Sequence, residues 1–147
     1  MQAQRLDYKR AAPEAYQAVA GAEAYVRGCG LERSLIELVK MRASQINRCA
    51  YCLDRHSKDA RSLNESEQRL YLLDAWQEAS AYTPRERAAL GWTDALTLLA
   101  TTGAPDADYE ALKAHFSDKE IVDLTVLIGL INLWNRIGVG FRLQHPA

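Results

Sequence analysis

Residues 37–56 read "ELVKMRASQINRCAYCLDRH". Just upstream and into this stretch, Leu31, Leu35, Leu38, Val39 and Ile46 recur at helical spacing in "LERSLIELVKMRASQI". That pattern predicts an amphipathic helix. "YCLDRHSKDARSL" predicts a second helix after it. On one unbroken rod, Glu37 and Cys49 would lie about 18 Å apart. Asn47–Arg48 argues for a break instead, because Asn favours turns and tolerates the left-handed conformation. A turn centred on Asn47 makes an antiparallel helical hairpin. His56 then stands about as far beyond the turn as Glu37 stands before it, and the two face each other.

Working outward, the helix signals are dense. Pro13 opens "PEAYQAVAGAEAYVR" near the first helical position, and "GCG" (Gly28–Gly30) closes it. Asn64, Thr83 and Ser117 each stand three residues before a Glu, at Glu67, Glu86 and Glu120. Each pair predicts a capped helix start, and Pro84 strengthens the second. These signals predict helices over "SEQRLYLLDAWQEA", "PRERAALGWTDALTLLA" and "DKEIVDLTVLIGLINLWNRIGVGFR". A short helix around "DYEALKAHF" follows the loop "TTGAPDAD". No alternating strand pattern, repeat or low-complexity tract interrupts them. The expectation is all-α: residues 1–147 as a single helical domain of about six or seven helices.

Composition is that of an ordinary globular chain, 48% hydrophobic and 25% charged. A net charge of -1 gives no electrostatic case for nucleic acid or an anionic membrane. "MQAQRLDYKR" has no apolar core of the secretory type. The most apolar run, Ile121–Trp134, is short for a bilayer and carries Asp123 and Asn132. A cytoplasmic protein with no membrane partner is the expectation. Three cysteines, an odd number, argue against an extracellular disulfide framework.

In a reducing compartment a CxxC is more often reactive or metal-binding than structural. Cys49 and Cys52 are spaced i, i+3. On a helix their Cα atoms fall roughly 5 Å apart, within disulfide reach. His56 lies at i+4 from Cys52 on the same face. An imidazole there can take the thiol proton and stabilise the thiolate, which is the form that attacks. With Glu37 holding His56, the hairpin yields nucleophile, base and orienting acid.

Each group also has a plainer reading. Cysteines are often buried and inert. His56 sits beside "DR" and "SKD" as a surface histidine would, and Glu37 can pair with Lys40. A zinc site usually needs a second ligand pair, and Cys29, His115 and His145 do not supply one at a matching spacing. Cys29, between two glycines, reads as a bystander. Trp134, Asn135 and Arg136 read as core or as part of a subunit contact.

The order Glu37, Cys49, Cys52, His56 resembles the core of the alkylhydroperoxidase AhpD-like family, within the carboxymuconolactone decarboxylase superfamily. "LYLLDAW", "YTPRERAALGWTDALTLLA" and "LINLWNRIGVGFR" extend the likeness over most of the chain. The resemblance implies an all-helical fold, a trimer or hexamer, and peroxide reduction without flavin or metal. It implies that Cys52 is the peroxidatic thiol, that Cys49 resolves it, and that Glu37 and His56 relay protons. An external dithiol, either lipoyl or thioredoxin-like, would restore the pair. Well-known members carry His immediately before the second cysteine; here the residue is Tyr51. A thiol–disulfide adaptor, a carboxymuconolactone decarboxylase-type enzyme and a structural zinc protein are the alternatives.

Overall fold

A computed structural model describes residues 2–146. Among them there is no strand; the chain forms nine α-helices and one 3-10 turn. These are α1 (Tyr8–Ala11), α2 (Pro13–Gly28), α3 (Arg33–Ile46), α4 (Ala50–Ser62), α5 (Glu67–Leu72), α6 (Pro84–Thr97), α7 (Leu99–Thr102), α8 (Asp106–Lys113) and α9 (Asp118–Gly140). The 3-10 turn, Leu73–Ala75, continues α5.

The expected six or seven helices are thus too few. The two additions, α1 and α7, are single turns of four residues each. α1 starts at Asp7, whose Oδ1 accepts the Arg10 N–H at 3.2 Å. It cannot run into α2, because Pro13 forces Ala12 out of the helical region, to φ -144°. α7 is the tail of the α6 pattern, offset by Leu98 and stopped by Gly103 at φ +65°.

Caps explain the other boundaries. Thr83 and Ser117 form full capping boxes with Glu86 and Glu120. Asn64 does not start α5. It adopts φ +66° just past the end of α4, and Ser66 caps α5 by accepting the Arg69 N–H. Asn suits a left-handed terminator as well as a cap, so the local pattern fitted both roles.

α3 is the axis of the fold. It packs against α4, α6 and α9, and every residue from Leu35 to Ser44 is buried. The amphipathic reading of α3 is therefore corrected: both faces are covered. Its buried charged residues are tolerated because each has a partner. Arg42 spans Asp94 at 2.6 Å and Asp74 at 2.9 Å. Lys40, only 1% exposed, is held by Glu23 of α2.

One apolar cluster fills the space between α2, α3, α6 and α9, around Val26, Leu35, Trp92, Leu124 and Leu127. A second gathers Leu38, Met41, Leu73, Trp76 and Leu90 on the other side of α3. At 23 residues, with a mean hydropathy of 1.3 over its most apolar 18-residue window, α9 is long and apolar enough to cross a bilayer, longer than the run read from sequence. Here half of its most apolar window is buried against the other helices, as a core helix would be.

Candidate active site

The site grows from the α3–α4 turn. α3 ends as Asn47 N–H donates to Ala43 O at 3.0 Å. Asn47 itself stays right-handed at φ -82°; the left-handed residue is Arg48, at φ +54°. Cys49 then takes an extended conformation and becomes the N-cap of α4. Its Sγ accepts the Cys52 N–H at 3.3 Å. The amide therefore points positive charge at the first sulfur.

The turn is clamped to α9. Asn47 Nδ2 donates to the Oδ1 atoms of Asn132 and Asn135, both at 2.9 Å. Asn135 Nδ2 donates to Ser44 Oγ at 3.0 Å, and Ser44 donates to Lys40 O at 2.7 Å. This network fixes where the helical hairpin sits, and it does so with every buried side-chain polar atom satisfied among the described residues.

Cys49 and Cys52 are joined as a disulfide, with Cα atoms 5.3 Å apart. They are 1% and 3% exposed. Gly138 of α9 presses on them. A Cβ built at Gly138 would stand 2.8 Å from Cys49 Sγ and 3.3 Å from Cys52 Sγ. Only glycine allows the last helix this close to the sulfurs.

Glu37 and His56 meet across the hairpin, with Oε2 and Nδ1 2.9 Å apart. A carboxylate there favours the Nδ1–H tautomer and leaves Nε2 as the acceptor. Asp59 Oδ2 stands 3.9 Å from the same Nδ1. Ligand atoms of Glu37, His56 and Asp59 lie within 4.8 Å of one another, a set that could hold a metal ion. Cys29, His115 and His145 belong to no such group among the described residues. Cys29 ends α2, where its carbonyl accepts from Lys119 at 2.8 Å.

Two depressions reach the disulfide from different sides. A cavity of about 200 Å³ is lined by Cys52 and His56, with Tyr8, Tyr16, Trp134 and Glu23 on its walls. A more open groove reaches Cys49 and Gly138. Tyr51 and Leu143 line both.

Sequence reasoning missed several of these groups. Glu23 accepts from Lys40 and, at 3.2 Å, from Trp134 Nε1. Burial raises its carboxyl, but the hydrogen bond and charge of Lys40, with Trp134 and Arg27, outweigh this and hold it below the ordinary range. Nothing local marks that pair. Gly138, Asn132 and Asn135 did leave a trace: two amides and a glycine inside an otherwise apolar helix are costly choices without a contact to explain them.

Fold and site together define a helical protein built around a buried dithiol with a carboxylate–histidine pair. The model of the carboxymuconolactone decarboxylase family matches residues 10–95, and the chain belongs to that family, in its AhpD-like branch. The uncharacterized protein YdfG of Bacillus subtilis (strain 168) is 40% identical over 136 residues, covering 92% of both chains. A crystal structure from Agrobacterium tumefaciens shares 54% identity, a TM-score of 0.96 and 99% coverage of both chains. That protein is described as of unknown function, a candidate antioxidant defence protein AhpD. The debrominase Bmp8 shares the fold at TM-score 0.82 and 19% identity, over 92% of this chain and 73% of its own.

Proposed function

We propose that the chain is a thiol-dependent peroxidase acting on organic hydroperoxides or hydrogen peroxide. The observation that carries this is the shared cavity: Cys52 and His56 line it together, with Glu37 bonded to the far side of His56. In the reduced protein, His56 takes the Cys52 proton. The thiolate attacks the terminal peroxide oxygen and the O–O bond breaks. The departing alkoxide takes a proton from His56 and leaves as alcohol, and Cys52 becomes a sulfenic acid. Cys49 thiolate attacks that sulfur. Hydroxide leaves as water with the remaining proton, and the disulfide forms. An external dithiol, lipoyl or thioredoxin-like, then returns two electrons. Every electron passes through the two sulfurs, so the cycle asks for no cofactor or metal.

A decarboxylation has no use for a disulfide, which favours the redox reading within this family. A thiol–disulfide adaptor is the second reading, favoured by the open groove at Cys49. The AhpD-like assembly, a trimer or hexamer, completes the proposal.

Intact mass and peptide mapping of the reduced protein, before and after one equivalent of peroxide, test it. Loss of two hydrogens at a Cys49–Cys52 crosslink, with alcohol produced in equal amount, supports the peroxidase. A crosslink that forms with disulfide oxidants but not with peroxides supports the adaptor.

A further inference from the structure

Both depressions at the disulfide carry cations, but the cavity on the Cys52 side sets the carboxylate of Glu23 among Lys9, Arg27 and Arg55, whereas the groove on the Cys49 side has no acid among the described residues to offset its arginines. The groove on the Cys49 side has a volume of about 540 Å³ and is lined by Arg5, Arg48 and Arg142. No Asp or Glu lines it among the described residues. Arg48 and Arg142 both sit at left-handed backbone positions, φ +54° and +55°. Glycine would be more comfortable at either. Two long cations of one groove, both held at strained positions, point to a use for the charge. Arg5 is brought there by its own bonds to α9, Nη1 to Gly140 O at 3.0 Å.

We infer that reducing electrons reach the disulfide through this groove, by attack on Cys49 Sγ, and that the donor is a dithiol protein with an acidic surface around its thiols. The inference rests on the peroxidase reading for its physiological meaning, though not for its chemistry. A donor thiolate forms a bond to Cys49 Sγ. The Cys49–Cys52 bond breaks, and Cys52 leaves with the electron pair as a thiolate on the His56 side. The donor's second thiol, deprotonated, attacks the donor sulfur of the mixed disulfide and expels Cys49 as a thiolate. The Cys52 N–H already directed at Cys49 Sγ stabilises that leaving group. The donor ends as a disulfide, and the two protons it loses restore the pair. Attack at Cys49 leaves the cavity at Cys52 free, so donor and peroxide never compete for one space. Tyr51 and Leu143 line both sides.

The test uses the full chain oxidised with diamide, so no peroxide is involved. Two single-thiol peptides serve as probes, one flanked by glutamates and one by lysines. Mixed disulfides are trapped by alkylating the freed protein thiol, and the crosslink is mapped. The expected result is a crosslink at Cys49, formed at least about tenfold faster with the acidic peptide at low salt. In Arg48→Gly with Arg142→Gly, which suits both backbone positions, the ratio falls toward one. A crosslink at Cys52, or equal rates for the two peptides on the unaltered chain, overturns the inference. If peroxide fails to form the disulfide but the acidic peptide still enters at Cys49, the peroxidase reading falls and this one stands.

Discussion

Glu37 Oε2 and His56 Nδ1 lie 2.9 Å apart although 19 residues separate them in the chain. The carboxylate sets which imidazole nitrogen faces the cavity. Replacing His56 by Gln removes the proton acceptor and should slow peroxide-driven disulfide formation by about 10²-fold. Glu37→Gln should cost about tenfold, by loosening the ring rather than removing it. In both variants the rate should recover as pH rises, because the thiol is then deprotonated without help from the imidazole. Rapid-quench alkylation across pH reads this directly; an unchanged pH profile in both variants would remove the pair from the relay.

Gly138→Ala brings a methyl group against both sulfurs. The backbone of α9 has to give way, and oxidised protein should lose about 1–3 kcal/mol of stability. Gly21, exposed in the middle of α2 with nothing near its absent Cβ, makes the control. Gly21→Ala should gain about 0.5–1 kcal/mol. Urea unfolding of both variants decides: equal effects would mean that α9 adapts freely to the disulfide.

The buried Lys40 is paired with the half-buried Glu23, and the cost shows when one member is removed. Glu23→Gln leaves Lys40 without a counter-charge and should cost about 3 kcal/mol at neutral pH. Because the Glu23 carboxyl is held below its ordinary value of 4.5, its contribution is complete above that pH. It is lost as pH falls through the lower folded value. The gap between variant and unaltered protein should therefore narrow in acid. A gap that stays constant from pH 7 into strong acid would show that the charge of Glu23 is not what stabilises the pair.

Val122, Val126 and Leu133 are exposed on the side of α9 turned away from the core. In the proposed trimer or hexamer this side is covered. Light scattering should give a mass of three or six chains, and Val126→Lys should shift it toward one. A monomeric unaltered protein with full peroxidase turnover would separate the assembly from the activity.

The parts of the site legible in the sequence are those set by local spacing. Cys52 and His56 are spaced by one turn of α4, and the hairpin follows from one turn; Cys49, read as helical, is instead the extended N-cap, and its Cα still falls 5.3 Å from that of Cys52. Even there, the left-handed residue is Arg48 rather than Asn47, because the N–H of Asn47 still bonds within α3. The capping boxes at Thr83 and Ser117 were readable for the same reason. What could not be read was tertiary. Lys40 looked like a surface partner for Glu37; its real partner is Glu23, on another helix. The apolar spacing of α3 predicted an amphipathic helix, but its buried charges, Glu37, Lys40 and Arg42, find their counterparts only once α2, α4 and α6 have packed around them.

The clamp from Asn47 to Asn132 and Asn135 joins residues 85 and 88 positions apart. On a chain emerging from the ribosome, both cysteines and His56 appear long before the helix that seats their turn. The glycine that closes over the sulfurs comes later still. The motif is therefore translated early and completed late. A truncated chain that ends before α9 carries the residues of the CxxC motif without the helix that seats their turn.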